Sequence, residues 1–372
     1  MRPNASSARL MLGALPALPT LCALAGTLSL FWLFLLVQGA PALDAIGLIF
    51  QGAFGSSFAW QSTLLRASPL MLTALCVALP AQVGLIVIGG EGALALGGLA
   101  AAVVPQCLPA GTSWLIATPL MAVAGMLAGG IWIGAIGALR QWRGVNETIS
   151  SLLMSYIAIA LFKHLVEGPL RDPASLNKPS TLPVPDAMTI GSLPGLEVHW
   201  GLLWGVLACL AAWVFVRHST KGFAMRVVGG SNRAARLVGL PVGMLALAAC
   251  SMGGAAAGLA GMFEVAAVQG SANASLLAGY GYSGILVAFA ARQNPLAIVL
   301  CAVLIGGIEA SGSLLQRRLD LPDATTLVLQ GLLFANLLAW EALGGRIVAW
   351  RVKLQALAVT EEAPVQLEKT HA

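Results

Sequence analysis

Residues 220–240 read TKGFAMRVVGGSNRAARLVGL and interrupt an otherwise apolar chain. Long apolar segments, at about 200–217 and 243–268, lie on either side of this stretch. Four of its side chains are cationic: Lys221, Arg226, Arg233 and Arg236. Short basic loops between membrane spans face the cytoplasm. The stretch therefore predicts a membrane protein with a basic, partly helical surface to which a cytoplasmic partner can bind.

The composition sets the fold class. Hydrophobic residues make up 58% of the chain and charged residues 9%, and the mean hydropathy is +0.86. Ordinary globular domains carry roughly 25% charged residues, which excludes a soluble fold. The apolar runs are continuous rather than alternating, as in helices that satisfy their backbone within each span. We predict an all-α, polytopic protein in a lipid bilayer, and its net charge of +5 indicates no nucleic-acid partner.

Catalytic and metal-binding motifs are not found. The six cysteines stand singly without a C-x-x-C pair, so they are expected to be small buried hydrophobes rather than ligands or disulfides. The sequence has no phosphate-binding loop of the type Gly-x-x-x-x-Gly-Lys-Ser/Thr, and its four histidines are solitary. The chain is therefore predicted not to be an enzyme and to bind no cofactor or metal.

About ten membrane spans are predicted, since a span needs roughly 20 apolar residues. The candidate spans are 21–37, 68–88, 92–106, 113–138, 150–167, 200–217, 243–268, 280–291, 296–312 and 323–343. This layout places most Lys and Arg residues on the side of the basic stretch, as the positive-inside rule requires. It gives a membrane domain at 21–343 between cytoplasmic tails at 1–20 and 344–372. A cleaved signal peptide is the alternative for the first span, because Gly39-Ala40-Pro41-Ala42 offers small residues for cleavage.

Two of the predicted spans are short and flanked by glycine. Segment 92–106 follows Gly89-Gly90-Glu91-Gly92, and segment 280–291 begins beside Gly279-Tyr280-Gly281-Tyr282. Short, glycine-interrupted segments in corresponding halves of a chain indicate broken helices around a midplane pathway. We expect two broken helices in repeat-related halves, at 68–167 and 243–343.

Three connections are long. Residues 218–242 form the inner basic loop, and residues 40–67 and 168–199 are predicted to lie outside. The first outer connection contains an amphipathic stretch, 48–55, that is expected at the membrane interface. The second is polar and rich in proline, and it is either a docking surface for a soluble partner or a solvated connector.

Glu91 is the candidate functional acid. An ionised carboxylate within a membrane costs about 2.5–3.5 kcal/mol on insertion scales, so such residues usually face a cavity and carry function. The alternative is that Glu91 lies near the cytoplasmic interface and caps the short helix that follows. Asn146 and Glu147, in GVNETISS at 144–151, can likewise cap a helix or contact the same partner as the basic loop.

Five segments of the chain resemble one family, the ABC-importer permeases of the nucleoside and simple-sugar branch. The segments are LLRASPLMLTAL at 64–75, IGGEG at 88–92, GVNETIS at 144–150, the basic loop, and GYGYSGI at 279–285 with RQNPL at 292–296. They occur in family order between about residues 45 and 343. The sequence departs from the family pattern at Gln82, Val87, Ala93, Ser155 and Ser283, where the family commonly has Arg, Asn, Gln, Asn and Asp.

The resemblance implies a permease subunit in a bacterial inner membrane, with both termini in the cytoplasm. The implied partners are two ATP-binding subunits that use the ATP, a second permease and an extracytoplasmic substrate-binding protein. A heterodimer with a paralogous permease is favoured over a homodimer. The most expected substrate is a purine nucleoside, with a sugar or another small polar solute as the alternative.

Two sets of residues follow from the resemblance. The implied pathway residues are Gly90, Glu91, Gly92, Asn146, Tyr282 and Ser283. The residues implied to couple ATP hydrolysis to transport are Gly222, Phe223, Arg226, Gly229, Asn232, Arg233 and Arg236. An autonomous secondary transporter or channel with inverted repeats is the rival hypothesis, although the acids at membrane depth form no chain in the sequence.

Overall fold

A computed structural model describes residues 18–109, 111–340 and 342–343. All of the named secondary-structure elements in these residues are helices, as the sequence predicts. The α-helices are α1 Leu18–Val37, α2 Ala42–Phe54, α3 Ser57–Ala81, α4 Gly90–Cys107, α5 Trp114–Arg143, α6 Glu147–Glu167, α7 Gly201–His218, α8 Thr220–Gly230, α9 Asn232–Leu237, α10 Val242–Phe263, α11 Tyr280–Ala290, α12 Pro295–Leu319 and α13 Ala324–Trp340. The predicted tails lie outside the described residues, apart from the first turn of α1.

Among the described residues, six helical segments are long and apolar enough to cross a membrane. They are α3, α5, α6, α7, α12 and the segment Val242–Gln269, in which α10 continues through a π-helical turn, Glu264–Gln269. Helices α2 and α13 and the residues Cys22–Val37 of α1 are apolar but shorter. The structure therefore confirms an all-helical membrane protein with six span-length helices.

The predicted boundaries of the second span, 68–88, were wrong. Helix α3 begins at Ser57, where the Ser56 hydroxyl accepts a hydrogen bond from the Ala59 N–H at 3.1 Å, as an N-cap residue does. It ends at Ala81, and residues 82–89 are not helical. The predicted outer connection 40–67 is consequently mostly helical, since it contains α2 and the first turns of α3.

Two compact units are distinguished, and the candidate site lies wholly in one of them. Residues 45–326 form the larger unit. The smaller unit contains α1 and most of α13, and in it the side chain of Asn336 lies against Gly26.

Glycines bring α5 and α10 into close contact in the larger unit. Gly125 and Gly129 of α5 face Gly254 and Gly258 of α10, with backbone against backbone. Small residues at spacing four permit such an approach between membrane helices. Helix α10 also packs on α4, while α3 packs on α11 and α12. Each long helix before a break therefore packs on the short helix of the other half.

We expect Gly258→Ala to destabilise this unit, because the added methyl group would overlap the carbonyl oxygen of Gly125. Overpacking of this kind costs about 1–3 kcal/mol. The measurement is the thermal midpoint of the detergent-purified protein. Gly47→Ala in α2 is the matched control, since no atom lies within 4 Å of its added methyl group. Equal midpoints for the two variants would contradict the packing described here.

Candidate functional site

The non-helical segment 82–89 is held by polar side chains of α6. The Ile88 N–H donates to the Ser151 hydroxyl at 2.9 Å, and the Thr148 hydroxyl donates to the Ile86 carbonyl at 3.1 Å. Irregular backbone at membrane depth is tolerated only where such partners replace water. The serine and threonine of GVNETISS therefore serve the break between α3 and α4.

Glu91 lies at the meeting point of two helix N-termini. It is in the first turn of α4 and is only 2% exposed. Its carboxylate accepts hydrogen bonds from the N–H groups of Gly279, at 2.9 Å, and Gly281, at 2.6 Å. The N-terminal dipoles of α4 and α11 both favour its negative charge. Glu91 thus caps α11, which lies in the other half of the chain, rather than the helix that carries it.

Glycine allows α4 and α11 to approach this closely. A side chain at Gly281 would overlap the backbone of Glu91, and Gly90 faces Gly281. Helix α3 joins the same point, because the Thr73 hydroxyl donates to the Tyr280 carbonyl at 3.0 Å. Helix α11 contains only 11 residues, or about 17 Å. It covers about half of a 30 Å hydrocarbon core, so its N-terminus is at mid-depth when its C-terminus is at a membrane surface.

Most of the predicted pathway residues are brought together here. Gly90, Glu91 and Gly92 are in the first turn of α4, and Tyr282 and Ser283 are in the first turn of α11. Gly92 also packs on Ser155 and Ala158 of α6. Asn146 is an exception, because its side chain caps α6 by accepting from the Ile149 N–H at 3.1 Å.

The predicted coupling residues divide into a packed set and an exposed set. Gly222 packs on the backbone of α7 at Val216, and Gly229 packs on the carbonyl group of Gln82. The exposed members are Phe223, Arg226, Asn232, Arg233 and Arg236. Helices α8 and α9, here called the basic helices, are capped by Ser219 and Ser231. The exposed set therefore forms a cationic surface with one prominent aromatic ring, Phe223.

A cavity of about 550 Å³ lies beside the basic helices. Arg236, Gln141, Trp142 and Met244 are among the residues that line it. The neighbouring cation Arg140 pairs with Glu147 at 3.3 Å, which ties the end of α5 to the start of α6. Arg143, in the last turn of α5, is exposed and extends the cationic surface.

Residues 180–190, here called the strap, are bonded to the segment between α10 and α11. The Thr181 N–H donates to the Ala272 carbonyl and the Ala272 N–H donates to the Thr181 hydroxyl, both at 3.0 Å. Val184 and Ile190 donate to the carbonyl groups of Gly270 and Ala266 at 2.8 and 3.1 Å. Thr181, Val184 and Met188 are buried. This part of the 168–199 connection is therefore not a solvated connector.

His199 closes the same connection. Its ring stacks on Phe263 with the ring centroids 6.3 Å apart, and its Nδ1 atom accepts from the Gly201 N–H at 3.0 Å. Burial lowers the pKa of the His199 imidazole to about 4, because the charged form loses its hydration. The ring is therefore neutral at pH 7, and it packs on Phe263 while its Nδ1 atom holds the Gly201 N–H.

Sequence reasoning missed two features of the site. The π-helical turn Glu264–Gln269 follows α10 directly, with Glu264 buried within electrostatic range of Arg66. Turns of this type often occur at functional sites, but no residue pattern predicted it. The strap was also missed, since its bonds join residues far apart in the chain.

Comparison with known proteins identifies the family. Residues 59–338 match the family described as the branched-chain amino acid transport system / permease component. The glucose ABC transporter permease protein of Haloferax volcanii is 33% identical over 82% of this chain and 83% of its own length. A guanosine ABC transporter permease protein of Bacillus subtilis is 31% identical over 74% of this chain and 80% of its own length. A nucleoside ABC transporter permease protein of Lactococcus lactis is 23% identical over 70% of this chain and 74% of its own length.

The chain belongs to this family and is a permease subunit of an ABC importer. The six span-length helices agree with that assignment. The family further implies ATPase and substrate-binding partners for the chain.

We expect Glu91→Gln to lower stability by about 1–3 kcal/mol, the cost of leaving a buried donor unpaired. The amide has only one acceptor oxygen, so its NH2 group would face one of the two helix N–H groups. The thermal midpoint checks this. Glu197→Gln makes the same change at an exposed acid, and a Glu91→Gln midpoint no lower than that of this control would contradict the capping role.

Thr181→Val and Thr181→Ser test the strap as a matched pair. The valine variant removes the hydroxyl that accepts from Ala272, whereas the serine variant keeps it. We expect faster amide hydrogen exchange at residues 266–273 in the valine variant alone, because a strap bond is lost. Equal exchange in both variants would count against this bond as an anchor.

Proposed function

We propose that this chain forms half of the translocation pathway of an ATP-driven importer for a purine nucleoside or a similar small polar solute. It contributes no ATPase site. Two cytoplasmic ATP-binding subunits dock on the basic helices, and an extracytoplasmic binding protein delivers the solute. The second permease is a paralogue, so the membrane part is a heterodimer.

The observation that carries the proposal is a contact between the basic helices and the break before α4. Gly229 of α8 packs on the carbonyl group of Gln82, directly after α3. The Gln82 side-chain amide donates to the Gln293 carbonyl, just beyond α11, at 3.3 Å. A displacement of the basic helices is therefore transmitted to the break before α4 and to the C-terminal end of α11. This is the linkage that an ATP-driven permease requires.

A ten-span topology with both termini inside fits the same contacts. Residues 82–86, 148, 229 and 293 lie together, and the strap lies with residues 266–273. The first group lies at or beyond the predicted inner ends of the spans, and the second lies at or beyond their predicted outer ends. The six span-length helices are joined in this topology by α1, α4, α11 and α13. The crosswise packing of α3 and α10 on the short helices of the opposite halves supports the proposed repeats.

The names of the three relatives described above contain two substrate classes. Two of those named above carry guanosine or nucleoside in their names, and the one with the highest stated identity carries glucose. We place the nucleoside first and the sugar second.

The first experiment is purification of the tagged full-length chain in mild detergent with its co-purifying subunits, followed by mass spectrometry and an ATPase assay. A P-loop ATPase and a second permease in the complex are the expected result. Isolation of the chain alone, with no ATPase activity, would instead favour an autonomous transporter.

Arg226→Glu is expected to lower binding-protein-stimulated ATPase activity and solute uptake about tenfold or more, because it reverses an exposed interface charge. Insertion and thermal stability should be unchanged, since the side chain is exposed. Arg318→Glu, an exposed cation at the end of α12 and outside the 168–199 connection, is the matched control. Normal coupled uptake in the Arg226→Glu protein would count heavily against docking on α8.

A further inference from the structure

All three tyrosines of the chain lie close to the junction of α4, α6 and α11. They are Tyr156, Tyr280 and Tyr282. Tyr156 follows Ser155, which packs on Gly92, and Tyr282 follows Gly281, which packs on Glu91. Tyr156 and Tyr282 therefore each follow a residue that packs on the first turn of α4.

The rings of Tyr156 and Tyr282 are exposed at mid-depth. Tyr156 is 58% and Tyr282 is 40% exposed. Tyr156 is about 14 Å along α6 from Glu147, at 1.5 Å per residue. Tyr282 is in the first, N-terminal turn of the half-length helix α11. Tyrosine prefers the membrane interfaces, because a hydroxyl facing hydrocarbon has no hydrogen-bond partner. These two phenols at mid-depth are better accounted for by an aqueous pathway than by lipid.

The surroundings of the rings restrict the ligand. The adjoining exposed residues of α6, Leu153 and Ile157, are apolar. Residues 149–161 contain no charged side chain, which disfavours phosphorylated and zwitterionic solutes. A hexose can keep its hydroxyl groups in water here, but it has no flat aromatic face to stack on the rings. A planar heterocycle can stack on the rings and keep its edge in water.

We propose that Tyr156 and Tyr282 form an aromatic subsite of the pathway that stacks on the base of a neutral nucleoside and discriminates against a hexose. This inference rests on the proposed function and deepens it. Tyr156 is then a specificity-determining residue that the sequence motifs did not contain. Each ring supplies an apolar face, and each hydroxyl faces the water of the pathway.

The test is ATP-dependent uptake of radiolabelled guanosine and glucose by the complete complex in proteoliposomes with its binding protein. Tyr156→Leu and Tyr282→Leu should each lower guanosine uptake about tenfold, since stacking of a base on an aromatic ring is lost. Tyr156→Phe and Tyr282→Phe should retain most of the uptake. Trp204→Leu, an exposed aromatic residue of α7, is the control and should be unchanged. Binding-protein-stimulated ATPase activity and subunit composition are measured on every variant.

Three results would overturn the subsite. They are unchanged guanosine uptake in both leucine variants, loss of the second permease from those variants, and wild-type uptake of glucose without guanosine. The last two leave the importer function intact. Loss of the second permease would assign the exposed tyrosine rings to a subunit interface, and glucose uptake would assign them to a sugar pathway. Absence of ATP-dependent uptake of either solute by the wild-type complex would overturn the proposed function itself and this inference with it.

Discussion

The Glu91 carboxylate is the contact on which the arrangement of the site depends. Two N–H groups at the start of α11 bind it, and the N-terminal dipole of its own helix adds to the same field. A buried carboxylate without such partners would be expelled or neutralised. The first turns of α4 and α11 are therefore held together across two halves of the chain. Helix α11 can begin inside the protein because the acid accepts hydrogen bonds from two of the N–H groups at its start.

This contact explains the glycines around it. Gly90 and Gly281 permit the backbones of α4 and α11 to touch, so that the short glutamate side chain reaches both donors. The broken helices, the glycine-rich motifs and the buried acid are thus one structural solution. The acid itself is only 2% exposed. Residues adjacent to it, such as Tyr282, are exposed instead and can face the pathway.

The sequence predicted the helices well and the contacts between them poorly. Continuous apolar runs fix where a membrane helix can form, so most predicted segments coincide with one helix. The start of α3 was missed because it is set by the Ser56 cap and by the Thr63 hydroxyl bonded to Ala53. The partners of Glu91 are 188 and 190 residues away. Neither hydropathy nor local spacing contains that pairing, and the same holds for the strap.

Three contacts hold α11 and the segment before it. Gln82 links the basic helices to the end of α11, Glu91 fixes the start of α11, and the strap holds the residues between α10 and α11. A packed interior shifts between discrete arrangements rather than bending continuously. A displacement of α8 would therefore move α11 as a unit. That movement would strain the hydrogen bonds from the strap to the carbonyl groups of Ala266, Gly270 and Ala272. Separation of the strap from residues 266–272 then requires breaking a few backbone hydrogen bonds. Docking of a binding protein on the 168–199 connection could offset that cost, which would make docking and ATP use interdependent.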